Sequence, residues 1–143
     1  MMDKFVKEWI SRANKEIAGS VNQFVCLYIA FNHLYDAEQG TREIERIKKY
    51  GKKIYYQNNY NPYSVIDVRS ELLKGVLSER TNMRTDTEKL TQQDIDELLT
   101  SLYYVRCNLF HGSKSMEDSR SVGLVKDCCT ILHSLFEIID KKQ

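Results

Sequence analysis

The segment Ser20-Val21-Asn22-Gln23-Phe24-Val25-Cys26-Leu27-Tyr28-Ile29-Ala30-Phe31-Asn32-His33-Leu34-Tyr35 decides the fold class. Its Phe24, Leu27, Tyr28, Phe31, Leu34 and Tyr35 keep the spacing that lines one side of an α-helix, and the apolar residues between them predict a heavily buried helix. Ser20 followed by Gln23 is a capping-box pattern, in which the hydroxyl satisfies an orphan N–H of the first turn and the longer side chain reaches back. Asn32 lies inside this apolar run, where an amide is costly unless hydrogen-bonded, and a structural role is expected for it.

Upstream, Phe5, Trp9, Ala13 and Ile17 form a four-residue stripe that predicts a helix from about Asp3 to Ala18, stopped by Gly19. Downstream of Gly40-Thr41, a run of Arg42, Glu43, Glu45, Arg46, Lys48, Lys49, Lys52 and Lys53 around Ile44, Ile47 and Ile54 predicts a charged, mostly exposed helix. Asn58 to Pro62 reads as a turn, with Asn61 capping a proline-started helix that carries Val65, Val68, Leu72, Leu73, Val76 and Leu77. Ser78 to Leu90 is polar and aperiodic, as a loop is. Thr91 then caps a helix running through Leu98, Leu102 and Val105 to Gly112, and after the polar Ser113 to Ser119 a last helix carries Val122, Val125, Cys129, Leu132, Phe136 and Ile139. The expected architecture is all-α, an up-and-down bundle of five to six helices in a single domain, residues 1–143.

Composition agrees with that class. Hydrophobic residues make up 42% and charged residues 29%, a globular balance, and one proline with six glycines leaves few breaks for tight turns. A formal net charge of +1 exerts no global pull on nucleic acid, so any such partner must meet a local patch. Neither a secretory leader nor an apolar run of the ~20 residues that span a bilayer is visible, and a cytoplasmic location is expected. Cys26, Cys107, Cys128 and Cys129 lack C-x-x-C spacing, which favours reduced, packed thiols; Cys128, Cys129 and His133 are the one metal-ligand alternative.

Chemistry concentrates in Arg106-Cys107-Asn108-Leu109-Phe110-His111-Gly112. A guanidinium stays charged and offers a planar fork of donors to a phosphate, while an imidazole moves protons near neutral pH. The pair is chemically sufficient for metal-free cleavage of RNA, one group moving protons and the other offsetting charge at phosphorus. Five positions apart, the two side chains point ~140° from each other on an ideal helix. Joint action needs the helix to loosen near Gly112 or a second chain to supply a matching pair. Whether His111 acts first as base or acid stays open, since a helix C-terminus favours its cation and Arg106 opposes it.

The stretch Val105-Arg106-Cys107-Asn108-Leu109-Phe110-His111-Gly112-Ser113-Lys114 resembles the R-x(4 to 6)-H motif of HEPN domains. Tyr28 to Tyr35, with its embedded FN-x-LY, is similar to the apolar segment of small bacterial HEPN proteins. The resemblance implies a helical bundle that dimerises with two motifs in one cleft, and a metal-independent endoribonuclease with Arg106 and His111 catalytic. It implies no cofactor and no metal, and places the chain with the toxins of toxin-antitoxin or defence systems, beside an antitoxin or nucleotidyltransferase partner. Many HEPN members carry Asn, Asp or His directly after the arginine, where this chain has Cys107, with Asn108 one position on.

Asn108 is expected to support His111, and Lys114 and Tyr104 to contact RNA. A run such as Lys48, Lys49, Lys52 and Lys53 is ordinarily a solvated face, although it suits a phosphate backbone. The alternative function is a non-catalytic module that binds RNA or a nucleotide or docks a protein. In the plainest alternative, Arg106 pairs with a carboxylate and His111 caps its helix.

Overall fold

The computed structural model describes residues 2–58, 92–110 and 119–141, all of whose regular elements are helices. In chain order they are α1 (Lys4–Ala13), α2 (Val21–Asp36), α3 (Glu43–Asn58), α4 (Gln92–Phe110) and α5 (Ser119–Lys141). The expected proline-started helix, the polar loop after it, the expected helix end at His111 and Gly112 and the polar stretch with Lys114 lie outside the described residues.

Helix α2 is the hub, with α1, α3 and α5 all packed on it, while α4 packs mainly on α3. Its buried side chains, Phe24, Leu27, Tyr28, Ala30, Phe31 and Tyr35, occupy more than one face, as a helix with neighbours on several sides requires. The rings interlock edge to face: Phe31 meets Tyr28 at 5.5 Å, Tyr35 at 5.0 Å and Tyr50 of α3 at 6.2 Å between centroids. Helix α4 contributes Ile95, Leu98, Leu99 and Leu102 to the core, and α5 contributes two adjoining stripes that include Val125, Cys128, Leu132 and Leu135. Among the described residues no helix is long and apolar enough to cross a membrane.

The capping box is half realised. Ser20 Oγ accepts from Gln23 N at 3.1 Å, but the Gln23 side chain passes Ser20: its Oε1 accepts from Gly19 N at 2.8 Å and its Nε2 donates to Ala13 O at 3.1 Å. One buried amide thus closes the end of α1 and the start of α2 together. Gln23→Ala takes from Gly19 N its acceptor and from Ala13 O one of two donors, the other being Glu16 N, and is expected to lower the unfolding free energy by about 1–3 kcal/mol. Urea titration checks this, and a loss no larger than an exposed helix substitution gives would show those bonds to be dispensable.

Two expectations at the N-terminus are corrected. Helix α1 ends at Ala13, not Ala18, and the chain continues through turns to Gly19, whose φ of +75° lies in the left-handed region. Its buried face is Val6 and Ala13, with Trp9 and Ile10 partly covered. Phe5 is 41% exposed and Ile17 81% exposed, so the stripe is rotated relative to its reading from spacing. Asp3 fixes the rotation by accepting from Val6 N at 3.0 Å and pairing with His33 of α2 at 2.8 Å, while Phe5 stacks on that imidazole at 4.4 Å. Likewise Val122, read as core, is exposed on α5.

Helix α3 buries more than its charge suggests, with Ile47, Gly51 and Ile54 turned inward. A Cβ on Gly51 would lie 3.2 Å from both Asp96 Oδ1 and Leu99 Cδ1, so glycine lets α3 and α4 approach closely. Lys48, Lys49, Lys52 and Lys53 are exposed, and Lys53 bonds Glu38 at 2.7 Å. Under Gly51, Asp96 Oδ1 is sealed from solvent and makes no hydrogen bond among the described residues. Burial pushes the Asp96 carboxyl above its ordinary pKa, against the pull of Lys48. A raised pKa penalises the fold wherever the unfolded chain is ionised, so this penalty is full above the folded pKa and vanishes as pH falls through the ordinary carboxylate range. Asp96→Ala is therefore expected to stabilise by about 1 kcal/mol at neutral pH, with the gain over wild type shrinking as unfolding is repeated toward about pH 3.

Candidate functional site

Arg106 leaves α4 one turn beyond Leu102, the last of that helix's buried leucines. Its guanidinium carbon lies over the ring of Tyr28 at 5.0 Å and that of Tyr103 at 5.1 Å. Glu43, the first residue of α3, closes the cluster: Arg106 Nη1 donates to its Oε2 at 3.3 Å and Nη2 to its Oε1 at 3.4 Å. Glu43 also accepts from the Tyr35 hydroxyl, and Tyr28 in turn donates to Tyr35 at 3.1 Å between oxygens. Three helices thus meet in one polar chain, Tyr28 to Tyr35 to Glu43 to Arg106.

Each part has a local cause. Tyr28 and Tyr35 are two turns apart on the same side of α2, and a buried phenol needs a partner for its hydroxyl. A carboxylate in the first turn of α3 is favoured by the helix dipole. Tyr103 precedes Arg106 by three residues on α4, the spacing that places two side chains side by side on a helix. Burial holds the Tyr28 and Tyr35 hydroxyls above the usual phenol range, so both remain neutral donors. Burial also works against the Arg106 charge, but Tyr28, Glu43 and Tyr35 outweigh it and the guanidinium stays cationic. Both partners of the Glu43–Arg106 pair keep 23% of their side chains open to solvent.

A guanidinium held in this way has a defined plane and a fixed charge. Such a fork pairs with an oxyanion, and among the described residues that oxyanion is the Glu43 carboxylate. The carboxylate pairing that is the plainest alternative for Arg106 is thus observed, with Glu43 as the partner.

The other site expectations divide. Tyr104 is 52% exposed and meets Tyr103 edge-on at 5.5 Å, so of the two tyrosines Tyr103 packs against the core. Asn108 is half-buried on the same helix. His111 and Lys114 lie outside the described residues. The cysteines are all unbridged, with Cys128 and Cys129 buried, and the described residues contain no group of three or more His, Cys, Asp or Glu arranged to hold a metal. Burial raises the Cys129 thiol to about 12 and that of Cys128 well above its ordinary value, while it lowers His133.

The chain matches no family model, no curated protein and no solved structure. The site is accordingly read from its own chemistry. Reasoning from sequence missed Glu43, Tyr28 and Tyr35 as members of it. One signal was present: Tyr28 and Tyr35 place two phenols on one side of a buried helix, and such hydroxyls imply a polar partner arriving from elsewhere in the chain.

Proposed function

We propose that this chain is a HEPN-type helical domain that cleaves RNA without a metal, Arg106 binding the scissile phosphate and His111 carrying the proton. The observation that supports it most is Arg106 itself, its guanidinium held by Glu43 and two tyrosine rings and its side chain only partly buried, on the helix that leads directly to His111 in sequence. An arginine needed only for packing gains nothing from that exposure.

In the reaction, the ribose 2′-oxygen forms a bond to phosphorus as its proton passes to a base, and the P–O5′ bond breaks as the departing oxygen takes up a proton. A 2′,3′-cyclic phosphate and a 5′-hydroxyl result. His111 serves the proton transfers, and Arg106 offsets the charge that builds on the non-bridging oxygens. Asn108 orients His111, while Tyr104 and Lys114 contact the RNA. Two copies of the chain pair so that both motifs line one cleft, which answers the ~140° divergence of Arg106 and His111 on a single helix. The full bundle is an up-and-down one of five to six helices. The biological setting is a cytoplasmic toxin or defence protein with an antitoxin or nucleotidyltransferase partner.

One observation favours a second reading, a cleft that holds RNA or a nucleotide without cutting, or docks a protein: Glu43 already takes a bond from each Arg106 Nη atom. Purified protein incubated with mixed-sequence RNA in excess chelator separates the two. Cleavage by wild type that disappears in His111→Ala supports the nuclease. Binding that disappears in Arg106→Ala, with no cleavage by any form, selects the non-catalytic cleft.

A further inference from the structure

We infer that Glu43 is a positioning residue for Arg106, set in place by Tyr35, and that it costs RNA affinity while raising the rate of cleavage. This rests on the reading of Arg106 as the phosphate-binding group.

Three observations carry the inference. First, Glu43 engages the guanidinium through both carboxylate oxygens, one to each Nη, which fixes the plane of the fork as well as its distance. Second, Glu43 is itself held: Tyr35 donates to Oε2, the same oxygen that receives Nη1, and Tyr35 is fully buried with its ring against those of Tyr28 and Phe31. The carboxylate is thus tied to the core rather than swinging with a surface loop. Third, the rings of Tyr28 and Tyr103 lie against the guanidinium carbon, so Arg106 is restrained by stacking as well as by hydrogen bonds.

Each restraint removes reorganisation that a flexible arginine would undergo as charge develops at phosphorus. The same carboxylate stands within a few ångströms of where the phosphate must sit, and like charges repel there. Positioning and repulsion act on different kinetic constants. Repulsion weakens the ground-state complex, whereas orientation shows in the chemical step. A residue serving only to join α3 to α4 would alter stability and leave both constants of the folded protein unchanged.

The experiment measures cleavage of a fluorophore-quencher single-stranded RNA of mixed sequence by the full chain, its Glu43→Gln and Tyr35→Phe variants and Arg106→Ala, each with a melting curve. Glu43→Gln keeps the shape and an acceptor for Tyr35 while removing the charge. It is expected to lower kcat about 10- to 100-fold, the scale of a small misplacement of a reacting group, and to lower KM about threefold, what one screened charge at that distance amounts to. Tyr35→Phe keeps the buried ring, folds for that reason, and is expected to lower kcat in the same direction by a smaller factor. Unchanged kcat and KM in Glu43→Gln, beside an inactive Arg106→Ala, would overturn the role of Glu43 and leave the Arg106 site standing. A raised kcat would overturn it too, making Glu43 a brake. Arg106→Ala with wild-type kinetics would instead remove the phosphate site, and the positioning role with it.

Discussion

On the proposed nuclease reading, Arg106→Lys is expected to lower kcat/KM for RNA cleavage about 100-fold, or about 2.7 kcal/mol of transition-state stabilisation, while leaving the melting temperature within a few degrees of wild type. Lysine keeps the positive charge and most of the aliphatic stem, so a site that needs only charge would tolerate it. The surroundings of Arg106 are built for a plane. Two carboxylate oxygens meet two Nη atoms, and two aromatic rings lie against the guanidinium carbon. An ammonium offers no second nitrogen for the bidentate contact and no flat face to stack. It would settle on Glu43 as a point charge and meet the phosphate in a variable geometry. Steady-state kinetics on the same mixed-sequence RNA checks this, and wild-type activity in the lysine variant would reduce Arg106 to a source of electrostatic attraction.

Phe31→Ala is expected to lower the unfolding free energy by about 3–5 kcal/mol, the usual cost of emptying a fully buried aromatic site. The ring is inaccessible to solvent and is met by Tyr28, Tyr35 and Tyr50, so its loss leaves a cavity walled by other rings, which cannot collapse without rotating their hydroxyls out of register. Against a typical total of about 5–15 kcal/mol this is a large fraction. The damage reaches the site as well, because Tyr35 holds Glu43 and Tyr28 in turn bonds the Tyr35 hydroxyl. Phe31→Leu is the control, retaining most of the volume and recovering more than half of the loss. Equilibrium urea unfolding followed by circular dichroism measures both, and a cost under about 1.5 kcal/mol for Phe31→Ala, the range of a volume-conserving swap, would mean that α2 is packed more loosely than its rings suggest.

The contrast between α2 and α3, two of the three helices that build the site, shows how much of it the sequence carried. Helix α2 follows from Phe24, Leu27, Tyr28, Phe31 and Tyr35 without any knowledge of its neighbours, because burial on several sides leaves an apolar record at every turn. Helix α3 was read as charged and mostly exposed, yet it supplies Ile47, Gly51 and Ile54 to the core and Glu43 to the guanidinium. Two of its features are invisible locally. A glycine in a helix has no pattern of its own to show that another helix lies against it, and a carboxylate among cations looks like any surface charge.

By itself, then, the sequence determined that the described chain is helical, that α2 is heavily buried and that Ser20 opens that helix. Each of these depends on residues within a few positions of one another, where helical periodicity and capping chemistry operate. Tertiary structure alone decided which way α1 faces, where it stops and which carboxylate meets Arg106. Twenty acidic residues are available to one guanidinium, and the choice of Glu43, sixty-three positions away, is made by the packing of α3 against α4 and by a tyrosine hydroxyl from α2. Long-range pairing of this kind is selected by the shape of the assembled core, and spacing along the chain leaves no trace of it.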